Sequence, residues 1–259
     1  MITDKVTYPE EYKKWLLKSH KVNSDEQRVF YESTSAKMKH DFENSHFWEI
    51  FSKNLKDYND QYYEKNECNL LMQKEKVPDI LIKPYKSFFE KTYRKNVLNN
   101  DNWPDEPDNG WLLPYGWYSK VNDILRTCVV VKYLDGVQFL VDKINYLSAS
   151  CTIAFNCDLE ARIDGYYAAH INLIFPVEIP VGLKIKKIDV NVEIQITTQL
   201  QENIKQLLHT HYEEKRTAYL ESNEDWLWDY SSDEFLANNL GHILHYVEGM
   251  IMEVRERQR

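Results

Sequence analysis

One stretch of the sequence, residues 188–198, alternates strictly between apolar and polar side chains. Its apolar members are Ile188, Val190, Val192, Ile194 and Ile196, and its polar members are Asp189, Asn191, Glu193, Gln195 and Thr197. A period of two predicts a β-strand with one packed and one open face. The polar face carries a carboxylate, Glu193, and an amide, Gln195, close to the end of the strand. Two interpretations stand: an ordinary amphipathic strand, and a strand with a functional site at its end.

Composition limits the kind of site that this strand can belong to. The 259 residues, 43% of them apolar, suffice for one large domain or two small ones with a real core. Only seven glycines are present, and neither G-x-G-x-x-G nor G-x-x-x-x-G-K occurs. If the protein holds phosphates, side chains must therefore bind them.

Charge and cysteine content limit the partners and the compartment. A net charge of −9 argues against general coating of nucleic acid, and DNA is not an expected partner. No apolar run approaches membrane-spanning length, so no membrane partner is expected. The four cysteines form no C-x-x-C pair. We therefore expect reduced thiols and a cytoplasmic protein.

A basic cluster between residues 77 and 96 is the best candidate for binding a polyphosphate. Lysine and arginine supply point charges and bidentate forks that suit phosphate oxygens, and a solvated helix face is the alternative. The stretch 99–115, which follows, has no period and is predicted to be a loop, long enough for a lid. The cluster has only Glu90 opposing it and consists of Lys83, Lys86, Lys91, Arg94 and Lys95.

A buried strand is predicted within residues 121–131. Asp123 stands at its start and Arg126 lies inside its apolar run. Ionised side chains in so apolar a setting need a partner or a ligand. These two residues are therefore candidates for a site.

The middle of the chain predicts further elements of a mixed fold. Residues 135–136 (Asp-Gly) indicate a turn before an amphipathic helix. Residues 148–156 and 170–175 are predicted to be strands. Gly165 permits a tight bend next to Tyr166, whose ring can serve as a stacking platform for a base or as an ordinary core tyrosine.

The C-terminal part is predicted to be helical, over 199–220 and again after a capping box formed by Ser231 and Glu234. The closing helix carries an apolar seam that we expect to pack on the domain, with a partner helix as the alternative. The pairs His209-x-His211 and His242-x-x-His245 lack a Cys or carboxylate set at ligand spacing, which disfavours zinc. The seam comprises Leu236, Leu240, Ile243, Val247, Met250 and Val254.

Three motifs, in this order, resemble the synthetase domain of the RelA/SpoT family, over roughly residues 80–215. They are Asp123-Ile-Leu-Arg126, Gly165-Tyr-Tyr-Ala-Ala-His170, and Val192-Glu-Ile-Gln-Ile-Thr-Thr198 followed by His209. The resemblance implies an α+β, nucleotidyltransferase-like fold with a mixed β-sheet of about five strands between N- and C-terminal helices. We expect one domain over 1–259, made of an N-terminal helical region (1–75), a synthetase core (76–215) and C-terminal helices (216–259).

The resemblance also implies a reaction, the transfer of pyrophosphate from ATP with Mg²⁺, and a role for each matching residue. Asp123 would bind the metal, and Glu193 would bind metal or act as the base for the attacking hydroxyl. Tyr166 would stack on the acceptor base. Residues implied to bind ATP are Lys86, Arg94, Lys95 and Arg126. Residues implied to line the acceptor pocket are Arg162, His170, Gln195 and His209.

Departures from the family pattern bear on the acceptor. Asp164 replaces the usual Asn, Ala161-Arg162 replaces Pro-Lys, and Thr197 stands where the alarmone makers carry Arg. Together with the Trp-rich C-terminus, the chain looks like the toxic small alarmone synthetases of toxin–antitoxin modules.

Three functional hypotheses follow from that resemblance. The first is a growth-arresting toxin that transfers pyrophosphate to the 3′ CCA end of tRNA, blocks aminoacylation and is restrained by a cognate antitoxin protein. In that case Lys13, Lys14 and Lys18 would contact the acceptor stem. The second is a small alarmone synthetase that uses GDP, GTP or an adenine nucleotide. The third is a catalytically decayed nucleotide-binding module, which the presence of Asp123, Tyr166 and Glu193 disfavours.

Overall fold

The computed structural model describes residues 9–72, 76–181, 184–207 and 227–258. The helices are α1 (Glu10–His20), α2 (Ser24–Glu43), α3 (His46–Asn66), α4 (Tyr85–Tyr93), α5 (Trp117–Lys120), α6 (Leu134–Ser150), α7 (residues 199–207 as far as described) and α8 (Asp233–Arg257). The strands are β1 (Leu81–Ile82), β2 (Leu125–Val131), β3 (Ala154–Ala161), β4 (Tyr167–Val181) and β5 (Lys184–Thr198). No helix among the described residues is both long enough and apolar enough to cross a membrane.

The five strands form one mixed sheet in the order β1-β2-β5-β4-β3. β1 pairs antiparallel with β2, with Leu81 opposite Arg126. β3, β4 and β5 follow one another through short connections, as antiparallel neighbours do, whereas β2 reaches β5 by a crossover and runs parallel to it. The predicted α+β class and five-stranded mixed sheet are confirmed, and the predicted strand 188–198 is the second half of the central strand β5.

Contacts divide the chain into two compact units. Unit 1 comprises residues 1–48, 80–127 and 172–193, and unit 2 comprises residues 49–79, 128–171 and 194–259. β2, β4 and β5 contribute residues to both units.

Aromatic side chains from three helices form the core of unit 1. Tyr31 of α2 stacks on Phe88 of α4 at 4.4 Å between ring centroids, and its hydroxyl donates to the carbonyl of Lys83 at 2.8 Å. Tyr12 of α1 is fully buried and donates to Thr92 at 3.1 Å. Burial raises the pKa of Tyr12 to about 12. These hydroxyl contacts fix α4 and the residues before it against α1 and α2.

The core of unit 2 is built on α6. Leu140 and Ile144 are fully buried on one face of this helix, as the helical period predicts. Residues 135–136, predicted to form a turn, lie instead in the first turn of α6. A Cβ on Gly136 would lie 2.9 Å from Leu70 and 3.2 Å from Val131, so glycine serves close packing here.

The predicted strand 148–156 is right only over its last three residues, because it begins too early. α6 continues to Ser150, and β3 begins only at Ala154. Leu147 and Ser148 are buried together with Ile144, at the three- and four-residue spacing of a helix face. The alternation that suggested a strand is therefore overridden by the tertiary packing of α6.

The helix start predicted from the capping box at Ser231 is displaced by one residue, and α2 begins with a similar cap. α2 is capped by Asn23, whose side chain accepts from the Asp25 amide at 3.1 Å. α8 is capped by Ser232, whose hydroxyl accepts from the Phe235 amide at 3.1 Å. The predicted helix 199–220 is helical through residue 207, and its remainder lies outside the described residues.

The expectation that the apolar seam of α8 packs on the domain is also wrong. The helix buries a different face, formed by Ala237, Asn238, Gly241 and Glu248. Five seam residues are exposed, and Val247 is half-buried. The small residues Ala237 and Gly241 permit closer packing than the leucines do. The exposed members are Leu236, Leu240, Ile243, Met250 and Val254.

Candidate functional site

Asp123 lies in unit 1 between two lysines, and this trio is named here the lysine–aspartate cluster. Lys83 Nζ is 2.9 Å from Asp123 Oδ2, and Lys91 Nζ is 2.7 Å from Asp123 Oδ1. Lys83 immediately follows β1, Lys91 lies on α4, and Asp123 lies two residues before β2. The cluster carries two positive charges against one negative charge, so it has an excess positive charge with which to bind an anion.

Burial strengthens the electrostatic interactions in this cluster. The side chains of Lys83 and Asp123 are only 9% and 18% exposed. Burial alone would raise the pKa of Asp123, but the two ammonium groups outweigh it and hold that pKa well below its usual range. Burial lowers the pKa of Lys83, and the Asp123 carboxylate partly offsets this. The aspartate is therefore ionised at every physiological pH.

The residues predicted to bind ATP lie around the cluster with different exposure. Lys86 and Lys95 are exposed, whereas Arg94 and Arg126 are half-buried. Burial and the nearby Lys91 lower the pKa of Lys95, and Asp123 partly offsets the shift. Arg94 opens a π-helix, Arg94–Leu98, a rare backbone form that often marks functional sites.

The two lysines that contact Asp123 are not among the four residues that the resemblance assigned to ATP. Lys83 precedes the helix that begins at Tyr85, whereas Lys91 lies on it, so no single local period would have paired these two lysines.

Glu193 also lies in unit 1, on the strand that neighbours β2. The Asn191 side chain donates to Asn122 Oδ1 at 3.1 Å, and Asn191 shares its face of β5 with Glu193. Asn122 adjoins Asp123, so polar groups from both strands gather here. Glu193 is 8% exposed and Thr197 is 4% exposed. The polar face of β5 is thus partly covered, not open as predicted.

A divalent cation fits these carboxylates only together with further oxygen ligands. Among the described residues, no three His, Cys, Asp or Glu side chains group to hold a metal ion. Mg²⁺ in nucleotide enzymes is commonly held by one or two carboxylates, and waters and substrate phosphates complete its octahedron. Asp123, two residues before β2, and Glu193, on the neighbouring strand β5, are carboxylates of the kind that such a site uses.

A second group of polar side chains, named here the tyrosine–histidine cluster, lies in unit 2. The Tyr166 hydroxyl is 2.9 Å from His170 Nε2, which in turn lies 3.6 Å from Glu160 Oε2. Arg162 pairs with Glu160 and places its guanidinium 4.9 Å from the centre of the Tyr166 ring. One face of Tyr166 is therefore covered by a cation, and a planar base would stack on the other face or insert beneath the guanidinium.

Two glycines determine the backbone beside this cluster. Gly165 has φ +76°, and a Cβ there would lie 2.2 Å from the Asn238 carbonyl oxygen of α8. A Cβ on Gly241 would lie 2.3 Å from the Gly165 carbonyl oxygen. Asp164 accepts from the Tyr166 amide at 3.2 Å, an Asx-turn contact that the family's Asn would also make. This departure from the pattern therefore leaves the bend intact.

The remaining predicted residues are placed as follows. Gln195 is half-buried in unit 2, and the Thr197 hydroxyl lies 3.4 Å from the Tyr167 carbonyl oxygen, to which it donates. His209 lies outside the described residues. On α1, Lys14 and Lys18 are exposed, and Lys13 pairs with Glu10 at 3.4 Å.

Solved structures show what this arrangement resembles. Small alarmone synthetase 1 from Bacillus subtilis, bound to its product pppGpp, superposes with a TM-score of 0.54 at 17% identity, covering 81% of this chain and 91% of that one. A GTP pyrophosphokinase family protein from Streptococcus pneumoniae superposes with a TM-score of 0.53 at 14% identity, covering 90% and 94%. The chain has the RelA/SpoT synthetase fold.

Comparisons of sequence alone find no match, although the fold is clear from the solved structures. No family model matches the sequence, and no curated protein matches it. Identities of 14% and 17% relate this chain to synthetases by fold alone. The fold therefore does not establish the activity, which depends on the chemistry of this chain's own residues.

Proposed function

We propose that the protein is an ATP-dependent pyrophosphokinase. The observation that supports this most directly is the lysine–aspartate cluster, a buried carboxylate between two ammonium groups in a chain with a synthetase fold. In the proposed reaction, an acceptor hydroxyl attacks the β-phosphorus of ATP. The new bond is between that oxygen and the β-phosphorus, the bond from the β-phosphorus to the α,β-bridging oxygen breaks, and AMP leaves.

The donor triphosphate is held by the cations of unit 1. Lys83 and Lys91 exchange part of their contact with Asp123 for phosphate oxygens, and Arg94 and the exposed Lys86 and Lys95 add further charge. Asp123 and Glu193 would hold Mg²⁺, which would supply charge neutralisation at the transferred group. Glu193 also takes the proton of the attacking hydroxyl.

The acceptor is a purine nucleotide such as GDP, GTP or an adenine nucleotide, bound at the tyrosine–histidine cluster. Its base stacks on Tyr166, which the His170 contact holds in place, and Arg162 is positioned for phosphate or base contacts. One solved structure of the same fold is described as bound to pppGpp, which favours a nucleotide acceptor for this chain.

A second acceptor, the 3′ CCA end of tRNA, is favoured by two observations. Thr197 donates to a backbone carbonyl and brings no charge to the position where alarmone makers carry Arg. Lys14 and Lys18 are exposed on α1 and available to an RNA backbone. A toxin of this type would require a protein antitoxin as its partner.

The deciding experiment supplies β-labelled ATP and Mg²⁺, and offers GDP, GTP, ATP and deacylated tRNA in separate reactions. The proposal predicts label on one acceptor with an equal amount of AMP released. Label on a nucleotide supports the first acceptor, and label on tRNA that disappears when the 3′ adenosine is removed supports the second. ATP binding without transfer to any acceptor would instead favour a decayed binding module.

A pair of variants on one strand tests the catalytic assignment. Glu193→Gln should abolish label transfer, whereas Asp189→Asn, four residues earlier on the same face of β5, should leave it unchanged. Circular dichroism checks that both variants are folded. Equal loss of transfer in both would contradict the role of Glu193.

A further inference from the structure

Unit 2 contains a cavity of about 240 Å³ between the first turn of α6, the start of α7 and the C-terminal half of α8. A water molecule occupies about 30 Å³ in the liquid, so the cavity has room for a small organic ligand. The described residues that line it are distinct from those of the lysine–aspartate and tyrosine–histidine clusters. Its apolar wall is formed by Leu134 of α6, Leu200 of α7 and Ile251 of α8.

One buried carboxylate, that of Glu248, also lines the cavity, and its side chain is 4% exposed. Among the described residues, neither of its oxygens has a hydrogen-bond partner. Thr198 and Gln201 lie close enough to lower its pKa, but the Gln201 amide donates to the Gly241 carbonyl at 3.2 Å instead. A buried carboxylate normally accepts hydrogen bonds or faces a cation, because removing its charge from water is costly. The described side chains of the protein therefore do not satisfy Glu248.

His245, the basic side chain beside Glu248, does not supply the missing charge. Its Nδ1 lies 3.7 Å from Glu248 Oε2, beyond hydrogen-bonding distance. Burial and the neighbouring His242 lower the pKa of His245, so the imidazole is neutral at pH 7. Burial raises the pKa of Glu248, as it does for a carboxylate with no cation beside it. A cation bound in the cavity would remove this penalty on the charged form.

The lining of the cavity favours one ligand chemistry. A protonated amine brings a positive charge and three N–H donors to a carboxylate. The apolar wall favours a hydrocarbon stem, because burial of apolar surface is favourable. Lys132 also lines the cavity, and it would attract a carboxylate at the other end of a ligand. Simple amines and free α-amino acids share the ammonium group that Glu248 requires.

We propose that this cavity is a binding site for a small primary amine, whose ammonium group pairs with the carboxylate of Glu248. The hydrocarbon stem of the amine lies against Leu134, Leu200 and Ile251. The site does not depend on the proposed pyrophosphate transfer, and its test measures binding alone.

Isothermal titration calorimetry of the full chain at pH 8 tests the site with isopentylamine and with isopentanol. The two probes have the same stem, and the alcohol carries a hydroxyl in place of the ammonium group. At pH 8 the amine is protonated and ionisation of Glu248 is favoured. The amine should bind at least about tenfold more tightly, because only the amine offers Glu248 a charge-assisted hydrogen bond.

Leucine distinguishes the two sources of the amine, because it is isopentylamine with an added α-carboxylate. Binding of leucine tighter than that of isopentylamine identifies an amino acid site, and Lys132→Gln should then reduce leucine binding to the level of the amine. Equal or weaker binding of leucine identifies a site for simple amines. Both results support the pairing of the ammonium group with Glu248.

A pair of variants on α8 tests the role of Glu248. Glu248→Gln should weaken binding of isopentylamine at least about tenfold and leave the weak binding of isopentanol unchanged. Glu253→Gln, at an exposed position of the same helix, is the matched control and should bind the amine as the wild type does. Glu248→Gln removes a buried charge, so it should melt at or above the wild-type temperature at pH 8. A loss of binding in this variant therefore reports on the site and not on folding.

Several results would overturn the proposal. They are no binding of isopentylamine at roughly 10 mM, a concentration at which a millimolar Kd is measurable, equal binding of isopentanol and the amine, and full binding of the amine by Glu248→Gln. The first result would mean that water alone occupies the cavity. Equal loss of binding in Glu253→Gln would overturn the proposal as well, because that carboxylate lies outside the cavity lining.

Discussion

The two polar clusters of this protein are built on opposite principles. In unit 1, Asp123 and its two lysines are mostly buried, ionised and paired at distances below 3 Å. In unit 2, the tyrosine–histidine cluster is half-buried and combines an aromatic ring, an imidazole and an ion pair at its margin. The first cluster suits a multiply charged phosphate chain, and the second suits a planar base. This contrast supports the donor and acceptor sites proposed above.

The backbone that carries each cluster differs in the same way. Unit 1 positions its charges from regular elements and a π-helix, and hydroxyl and amide contacts such as Tyr12 with Thr92 hold these elements in place. Unit 2 positions Tyr166 with a left-handed glycine pressed against a second glycine on α8. The donor side should therefore respond mainly to changes of charge, and the acceptor side mainly to changes of volume.

The largest expected effect is on the glycine contact of unit 2. Gly165→Ala should lower the free energy of unfolding by about 4 kcal/mol, because it combines backbone strain at positive φ with overlap against a carbonyl oxygen. Gly249→Ala, where a Cβ would meet nothing within 4 Å, should raise the free energy by about 0.5–1 kcal/mol. Urea denaturation measures both. A Gly165→Ala variant as stable as the wild type would contradict the expectation that unit 2 is sensitive to side-chain volume at this position.

The next prediction tests whether the cluster in unit 1 is sensitive to a change of charge. Asp123→Asn should lower the free energy of unfolding by about 3 kcal/mol, because it leaves two partly buried ammonium groups without their carboxylate. The folded-state pKa of Asp123 is depressed, so its stabilisation is present above the unfolded pKa of about 4 and is lost as pH falls through the folded pKa. Urea titrations at pH 7, 5 and 3 should show that the difference in free energy of unfolding between wild type and variant is smallest at pH 3. A difference that widens at low pH would contradict this account.

A smaller effect of opposite sign is expected at Glu248 in unit 2. Its side chain is 4% exposed, and burial raises its pKa, an effect that Thr198 and Gln201 partly offset. A raised folded-state pKa means that ionisation costs stability as pH rises through it. Glu248→Gln should therefore stabilise the protein by about 1 kcal/mol at pH 8 and by nothing below the unfolded pKa of about 4.3. Thermal melts at both pH values measure this, with the exposed Glu253→Gln as the unchanged control.

The smallest effect tests the acceptor assignment itself. Tyr166→Phe keeps the ring and loses the contact with His170, and should raise the KM for the acceptor about threefold to fivefold without altering the KM for ATP. Tyr166→Ala removes the stacking surface and should raise it further. Steady-state label transfer at varied acceptor and ATP concentrations measures the KM for the acceptor and the KM for ATP separately. An equal rise in the KM for ATP would place Tyr166 on the donor side.

Much of the sheet could be predicted from local pattern, and its neighbouring elements less well. The alternation of 188–198 correctly indicates β5, and the α6 core residues follow the helical period. The strand predicted from residue 148 begins only at Ala154, because Leu147 and Ser148 satisfy the helical period as well. Where two periods fit the same residues, packing against other elements decides between them.

The residue types of the candidate site could be predicted from the sequence, but the contacts between their side chains could not. Charge clustering drew attention to residues 83–95, yet of the two lysines that meet Asp123 one precedes α4 and the other lies on it. Contacts between residues 32 and 40 positions apart depend on how β1, α4 and β2 associate. No local pattern contains that information.

By itself the sequence determined the residue types and the short-range geometry: the period of β5, the need for glycine at 165, and the seam of α8. Only the tertiary structure decided what those features face. It covered part of the polar side of β5, placed Asp123 between the buried Lys83 and the half-buried Lys91, and turned the α8 seam outward because Ala237 and Gly241 allow closer packing than leucine does. The physical reason is that periodicity fixes which residues share a face, whereas burial depends on which face fits its neighbours most closely.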